Sequence, residues 1–297
     1  MELFISIMSG ILAIATSVNA VGDEVLKNKL ESQIESVETM AVRIDNAPNH
    51  DILGGKVKRV RVATRDLKIS QAIAFKALEV DVDGINIRLR EWLQQDILTE
   101  ADGVPTLRLR QLFEQPVNIA SRAVLTQEQL DNMLQSPSIN RTIRRRLQQT
   151  LNRIAESNYR RKDFEISSFA LNLIGENRIA LKMKISGFDR EDGSKDEELN
   201  VDFEFALEVI NGVSFGLTEQ QVFVDGEKVE PEQGVLIVAP VTLKALEEVG
   251  IKVRVLEWES NKDELELALF IGANEYAASA LLDARGLLEA ADLFLDD

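Results

Sequence analysis

The chain has 297 residues, 45% of them hydrophobic and only 5% aromatic, so a sizeable core is available and must be built mostly from Leu, Ile, Val and Ala. It has no cysteine and one histidine, which excludes disulfides, thiolate catalysis and Cys-ligated metal centres and removes most His-based triads and metal sites. The formal charge of −16 is unevenly spread. Residues 45 to 162 hold 20 Lys and Arg against 14 Asp and Glu, a net of +6, whereas residues 163 to 297 hold 11 against 30, a net of −19. A basic middle section facing an anionic partner and the solvated faces of ordinary elements explain this asymmetry equally well.

The chain opens on the apolar run LFISIMSGILAIATSV, of signal-peptide length, with Val18-Asn19-Ala20 as a small-residue cleavage signal. The only charge before it is Glu2, and Ser6, Ser9, Gly10, Thr16 and Ser17 interrupt it, so residues 1–22 are expected to be a retained apolar helix. After Gly22, Asp23 is placed to cap a helix running to about Ser36. Its Leu26, Leu30, Ile34 and Val37 form one narrow seam of about 80°.

The period then changes to two: Met40, Val42 and Ile44; Val60 and Val62; Leu67 and Ile69; Ile73 and Phe75; Leu78, Val80 and Val82; Ile85, Ile87 and Leu89. Turn-formers Asn46, Pro48, Asn49, Gly54 and Gly55, and the hairpin pair Asp83-Gly84, punctuate this run, which predicts an antiparallel meander with one apolar face. Thr126 to Gln129 reads as a capping box, with Leu130, Met133 and Leu134 behind it and Ser136-Pro137 ending the helix. A second helix, Ser138 to about Ser157, puts Ile139, Ile143, Leu147, Leu151 and Ile154 in a stripe of about 120°; Arg144 and Arg146 border it and Arg145 lies behind. Strands follow at 164–173, 178–186, 199–209, 214–224, 251–258 and 265–271, and an Ala- and Leu-rich helix over about 275–293 ends the chain.

No motif carries chemistry. Gly54-Gly55-Lys56 lacks the earlier Gly and the following Ser or Thr of a phosphate loop and leads into a strand, and His50 has no catalytic-type neighbour. The acidic loop starting at Asp189 is out of register for a calcium loop, with Phe188 at the first ligand position. The Lys58, Arg59, Arg61, Arg65 run lacks adjoining aromatic residues on which bases would stack, so no nucleic acid is expected as a partner. No cofactor, metal or catalytic residue is expected either.

The blocks ESQIESVETMAVRIDNAPNHDILGGKVKRVRVATRDL, with its R-x-D-N-A-P step at Arg43 to Pro48 and G-K-V-x-R-V-R-V at Gly55 to Val62, and RAVLTQEQLDNMLQSP at Arg122 to Pro137, resemble the LmeA-like phospholipid-binding family, particularly its cyanobacterial members. The resemblance is densest over residues 23–137. It departs where family members commonly carry Gly and this chain has Arg65-Asp66, which is expected to alter a turn.

The family is similar to tubular lipid-binding proteins, and the resemblance implies an α+β fold in which a strongly curved antiparallel sheet wraps a long helix, with additional amphipathic helices. It further implies one elongated domain over 23–272 (halves about 23–125 and 126–272), a C-terminal helix over 273–297, and non-catalytic binding or transfer of a phospholipid or other acyl lipid in an apolar groove or tunnel at a membrane surface. The expected tunnel residues are Leu26, Leu30, Ile34, Val60, Val62, Val80 and Val82; Lys58, Arg59, Arg61, Arg144, Arg145 and Arg146 are expected at headgroups or the membrane. The rival reading is a membrane-associated structural or assembly subunit that uses the same fold to bind a membrane protein complex. The poor signal peptide favours the cytoplasmic face over a periplasm or lumen.

Overall fold

The structure, a computed structural model, describes residues 22–32, 34–45, 56–86, 98–101, 104–107, 113–158, 162–189, 198–229, 241–248 and 250–275. The expected N-terminal and C-terminal helices, His50, Gly54-Gly55, Ile87 and Leu89, and most of the acidic loop after Asp189 lie outside these residues.

Fourteen strands and four helices are described. Helix α1 (Gly22–Glu31) precedes β1 (Thr39–Asp45), β2 (Lys56–Lys68), β3 (Ala74–Asn86), β4 (Leu98–Ala101), β5 (Val104–Leu107) and β6 (Val117–Thr126). Helices α2 (Gln127–Gln135) and α3 (Pro137–Asn158) lead to β7 (Lys162–Gly175), β8 (Arg178–Asp189), β9 (Leu199–Ile210), β10 (Ser214–Val224), β11 (Glu227–Val229) and β12 (Val241–Thr242). The short α4 (Ala245–Glu248), β13 (Ile251–Ser260) and β14 (Glu264–Ala273) complete the described chain. The fold is mostly antiparallel sheet. The first sheet has the order β1-β2-β3-β6-β14-β13, so strands from the two ends of the sequence meet where β6 pairs β14. The second runs β11-β10-β9-β8-β7 with β12 on β10, and β4 and β5 form a separate ribbon.

Several elements differ from the sequence reading. Helix α1 stops at Glu31, so Ile34 lies beyond it in a bend, and a long helix wrapped by the sheet is not among the described elements. Asp23 sits inside the first turn, where its carboxylate accepts a hydrogen bond from the Ile44 backbone N–H at 2.9 Å, tying the helix to β1. Asp83-Gly84 is no hairpin. Strand β3 runs straight through it, and the turn joining β2 to β3 lies at Ser70–Ile73, closed by hydrogen bonds between those two residues. Strand β6 has no counterpart in the sequence reading at all.

The reason Gly84 breaks no strand lies in the pleat of β2 and β3. Val57, Val60 and Val62 all join one core cluster, as do Val82 and Ile85, although two residues separate Val57 from Val60 and Val82 from Ile85. Strict alternation cannot put both members of such a pair on one face. Gly84, at φ +74°, supplies the left-handed step that returns Ile85 to the core side, as a bulge does. A second slip follows on β2, where Thr64 and Leu67 are both buried and Asp66 has φ +43°. Arg65-Asp66, the pair expected to alter a turn, thus includes a residue in the backbone region that favours glycine.

Packing forms three clusters. Leu26 and Leu30 of α1, both fully buried, sit with Val60, Val62, Val82 and Ile119 of the first sheet and Val253 of its far edge. The second cluster, around Leu130 of α2, joins the two sheets through Phe203, Phe205, Leu173 and Leu265. In the third, Leu147 and Leu151 of α3 pack on Ile166, Met183 and Ile185. The capping box expected at α2 is present, with the Thr126 hydroxyl accepting from the Gln129 N–H and the Gln129 side chain accepting from the Thr126 N–H. Gln127 takes up edge groups of β7: its amide donates to the Leu171 carbonyl at 2.9 Å and accepts from the Leu173 N–H at 2.7 Å. Gln148 of α3 accepts the Ile166 N–H of the same strand. These two glutamines satisfy groups that a sheet edge otherwise exposes.

Candidate functional site

A groove of about 470 Å³ crosses the first sheet at one level, lined by residues 41–43 of β1, 61–63 of β2, 79–81 of β3, 120–122 of β6, Ala268 and Leu269 of β14, and Leu256. The register explains why these residues share a line. Val42 pairs with Val62, Val62 with Val80, Val80 with Ser121 and Ser121 with Leu269, so one row runs straight across five strands. Side chains opposite one another across a ladder share a face. This row is on the face that packs against α1, and Val42, Val80, Ser121 and Leu269 are only half-buried there. Val62 belongs to the same cluster as Leu26 and Leu30 of the helix, and Val42 and Val80 pack against it.

The rows on either side alternate to the opposite face. One holds Ala41, Ala63, Glu79, Arg122 and Ala268, and the other Arg43, Arg61, Asp81 and Ala120. Their charges are largely matched within the sheet. Arg43 Nε donates to Asp45 at 2.6 Å, and Arg61 pairs with the other Asp45 oxygen. The hydrogen bond from Arg43, then that from Arg61, holds the Asp45 carboxyl below the usual carboxylate range. Arg59 donates through Nε to Asp81 at 2.7 Å and lies 3.5 Å from Asp83. The Asp81 hydrogen bond raises its guanidinium further above an already high value. Arg122 pairs with Glu266 and reaches Glu79 at 3.9 Å.

The residues expected from sequence therefore separate. Val62 and Val80 line the groove. Leu26, Leu30, Val60 and Val82 are fully buried in the packed cluster and offer no surface to a ligand, while Ile34 packs partly buried against it. Arg61 reaches the groove already paired, Arg59 is engaged by Asp81 and Asp83, and Lys58 is exposed on β2. Arg144, Arg145 and Arg146 are on α3, which contributes nothing to the groove lining. The sequence reading missed Ser121, Arg122, Ala268 and Leu269, because pairing of β6 with β14 joins residues more than a hundred positions apart (Arg122 and Glu266 are separated by 144) and leaves no local signal.

Among the described residues no group of three or more His, Asp and Glu side chains is placed to hold a metal ion, and no helix is long and apolar enough to cross a membrane. The family model described as LmeA-like phospholipid-binding matches residues 18–270. No curated protein and no solved structure matches the chain.

Proposed function

The chain belongs to the LmeA-like phospholipid-binding family, and from that premise we propose that it binds a phospholipid or another acyl lipid without catalysis, the acyl chain lying in the groove across β1, β2, β3, β6 and β14. The observation that carries this reading is the apolar share of the groove lining, Val42, Val80 and Leu269 of the central row together with Ala41, Ala63, Ala120, Ala268 and the exposed Leu256. Apolar surface lining a groove gains about 0.8 kcal/mol for each methylene that covers it and needs no polar chemistry to do so. Ser121 is the one hydroxyl in that row and would meet the chain near an ester. Because Arg43, Arg61 and Arg122 are matched by Asp45, Glu79 and Glu266, the groove rim favours a headgroup of little net charge over a strongly anionic one.

In this reading the two pleat slips at Gly84 and Asp66 bend β2 and β3 toward the tubular, helix-wrapping arrangement that the family resemblance suggests, and the protein works at a membrane, on the cytoplasmic face. The test is mass spectrometry of the full chain purified without detergent, with lipid extraction of the same sample. A stoichiometric phospholipid supports lipid binding; a lipid-free protein that also fails to take up added phospholipid contradicts it and favours a membrane-associated assembly subunit.

A further inference from the structure

We infer that the first half of α3 is a docking surface for an anionic phospholipid membrane, formed by Arg141, Arg144 and Arg145 beside Ile139 and Ile143. This extends the lipid-binding reading and can fail independently of it, since the helix contributes nothing to the groove.

Two observations support the surface. First, the apolar stripe of α3 is only partly used. Leu147 and Leu151 pack on the second sheet, but Ile139 and Ile143, one turn apart and half-buried, join none of the apolar clusters formed by the described residues. Second, the cations here differ from those of the first sheet. Arg59, Arg61 and Arg122 each pair with a carboxylate, whereas Arg141, Arg144 and Arg145 are exposed and, among the described residues, none has a carboxylate at ion-pairing distance. Arg144 donates through Nη2 to the Ser167 carbonyl at 3.2 Å, which holds its guanidinium group beside β7 without cancelling its charge. Arg146, by contrast, is half-buried and donates to Gln149, so the surface shifts by one turn from the Arg144-Arg145-Arg146 triplet expected from sequence.

The three arginines lie within one helical turn or little more, roughly 6 Å of rise, which is inside the Debye length of about 10 Å at 0.1 M salt, so they act on a charged surface together. Their stems can lie along Ile139 and Ile143 while the guanidinium groups reach phosphate level. The chain's net charge of −16 makes the choice of face decisive. An anionic bilayer repels most of this molecule and attracts it through this helix, so the charge asymmetry orients the protein as well as binding it.

The test is co-sedimentation of the full chain with vesicles of phosphatidylcholine alone and of phosphatidylcholine mixed with phosphatidylglycerol, across a salt series. The variant is Arg141→Gln, Arg144→Gln, Arg145→Gln. Its charge-matched control is Lys228→Gln, Lys244→Gln, Lys252→Gln, three exposed cations on other elements. Each basic residue at an anionic surface is worth roughly fivefold in partitioning, so the arginine variant should lose about a hundredfold at low salt and the control less than about fivefold. A single Arg145→Gln, losing about fivefold, keeps the test readable if the triple variant unfolds. The proposal is overturned if the wild type binds both vesicle types equally, if the arginine variants bind like the wild type, or if the lysine control loses as much. Uptake of a monomeric lysophospholipid, which reads the groove, should be the same for all of these proteins.

Discussion

Val80→Trp places a large ring at the midpoint of the groove, because β3 is the third of the five strands the groove crosses. At about 4.8 Å between neighbouring strands, the groove is roughly 19 Å long. An extended acyl chain advances about 1.25 Å per methylene, from a 1.52 Å bond at a near-tetrahedral angle, so about 15 methylenes span it. Fully buried, such a chain would gain about 12 kcal/mol at 0.8 kcal/mol per methylene; a groove open along one side delivers about half of that, near 6 kcal/mol. A ring across the middle leaves two segments of about half the length and permits the chain to use only one. The expected loss is therefore about 3 kcal/mol, or roughly a hundredfold in affinity. Calorimetric titration with lysophosphatidylcholine below its micelle concentration measures this. Val80 is only half-buried, so overpacking should cost no more than about 1–3 kcal/mol of stability, checked by a melting curve. A folded Val80→Trp protein with unchanged affinity would refute the groove as the acyl site.

Leu30→Ala should behave in the opposite way, losing about 2–5 kcal/mol of stability in a urea titration while the folded protein keeps its lipid affinity, because Leu30 is fully buried in the cluster beneath α1 and does not line the groove. Asp66→Gly should stabilise by about 0.5 kcal/mol, the left-handed backbone costing an L-residue about 1–2 kcal/mol and the added chain entropy of glycine returning about 0.5–1 of it; a lower urea midpoint would contradict this. Glu38 faces Asp66, and the hydrogen bond and repulsion between the two carboxyls raise the Glu38 pKa above its usual value. With the folded value raised, its contribution is complete below the unfolded pKa and is lost as pH climbs through the folded one. Glu38→Gln should therefore melt higher than the wild type at neutral pH and converge with it below the usual glutamate range of about 4.3, an outcome that equal melting at all pH values would exclude.

What could be read in advance depended on how far apart the cooperating residues lie. The capping box at Thr126 and Gln129 is a four-residue pattern and was legible, as was the end of α2 at Ser136-Pro137, where proline opens the next helix. Strands β7 to β10, β13 and β14 were legible because they are long and rich in alternating apolar residues, even though bulges interrupt the pairing of β7, β10 and β13, whereas the short β11 and β12 were not. Strand β6 was not, since Ser121 and Ala123 occupy core-side positions between Ile119 and Leu125 and erase the apolar alternation. The pair Asp83-Gly84 misled for a related reason: a left-handed glycine serves a hairpin turn and a pleat slip equally well, and only the partner strand decides between them.

Charge was the least legible property. The run Lys58, Arg59, Arg61 reads as free positive charge until the register brings Asp45, Asp81 and Asp83 alongside two of its members. The groove itself is a product of register, because its five central residues come from five strands and no two are adjacent in sequence.

The central claim is that an acyl chain lies along the row Val42, Val62, Val80, Ser121 and Leu269, and photo-crosslinking tests it most directly. A phospholipid carrying a diazirine near the middle of one acyl chain is bound to the full-length protein, irradiated, and the adducts are located by peptide mass spectrometry. Adducts are expected to concentrate on the peptides containing Val80, Ser121 and Leu269, to be competed away by unlabelled phospholipid and to be diminished in Val80→Trp. Competed adducts confined to α3 or to the second sheet, with none on those three peptides, would contradict it.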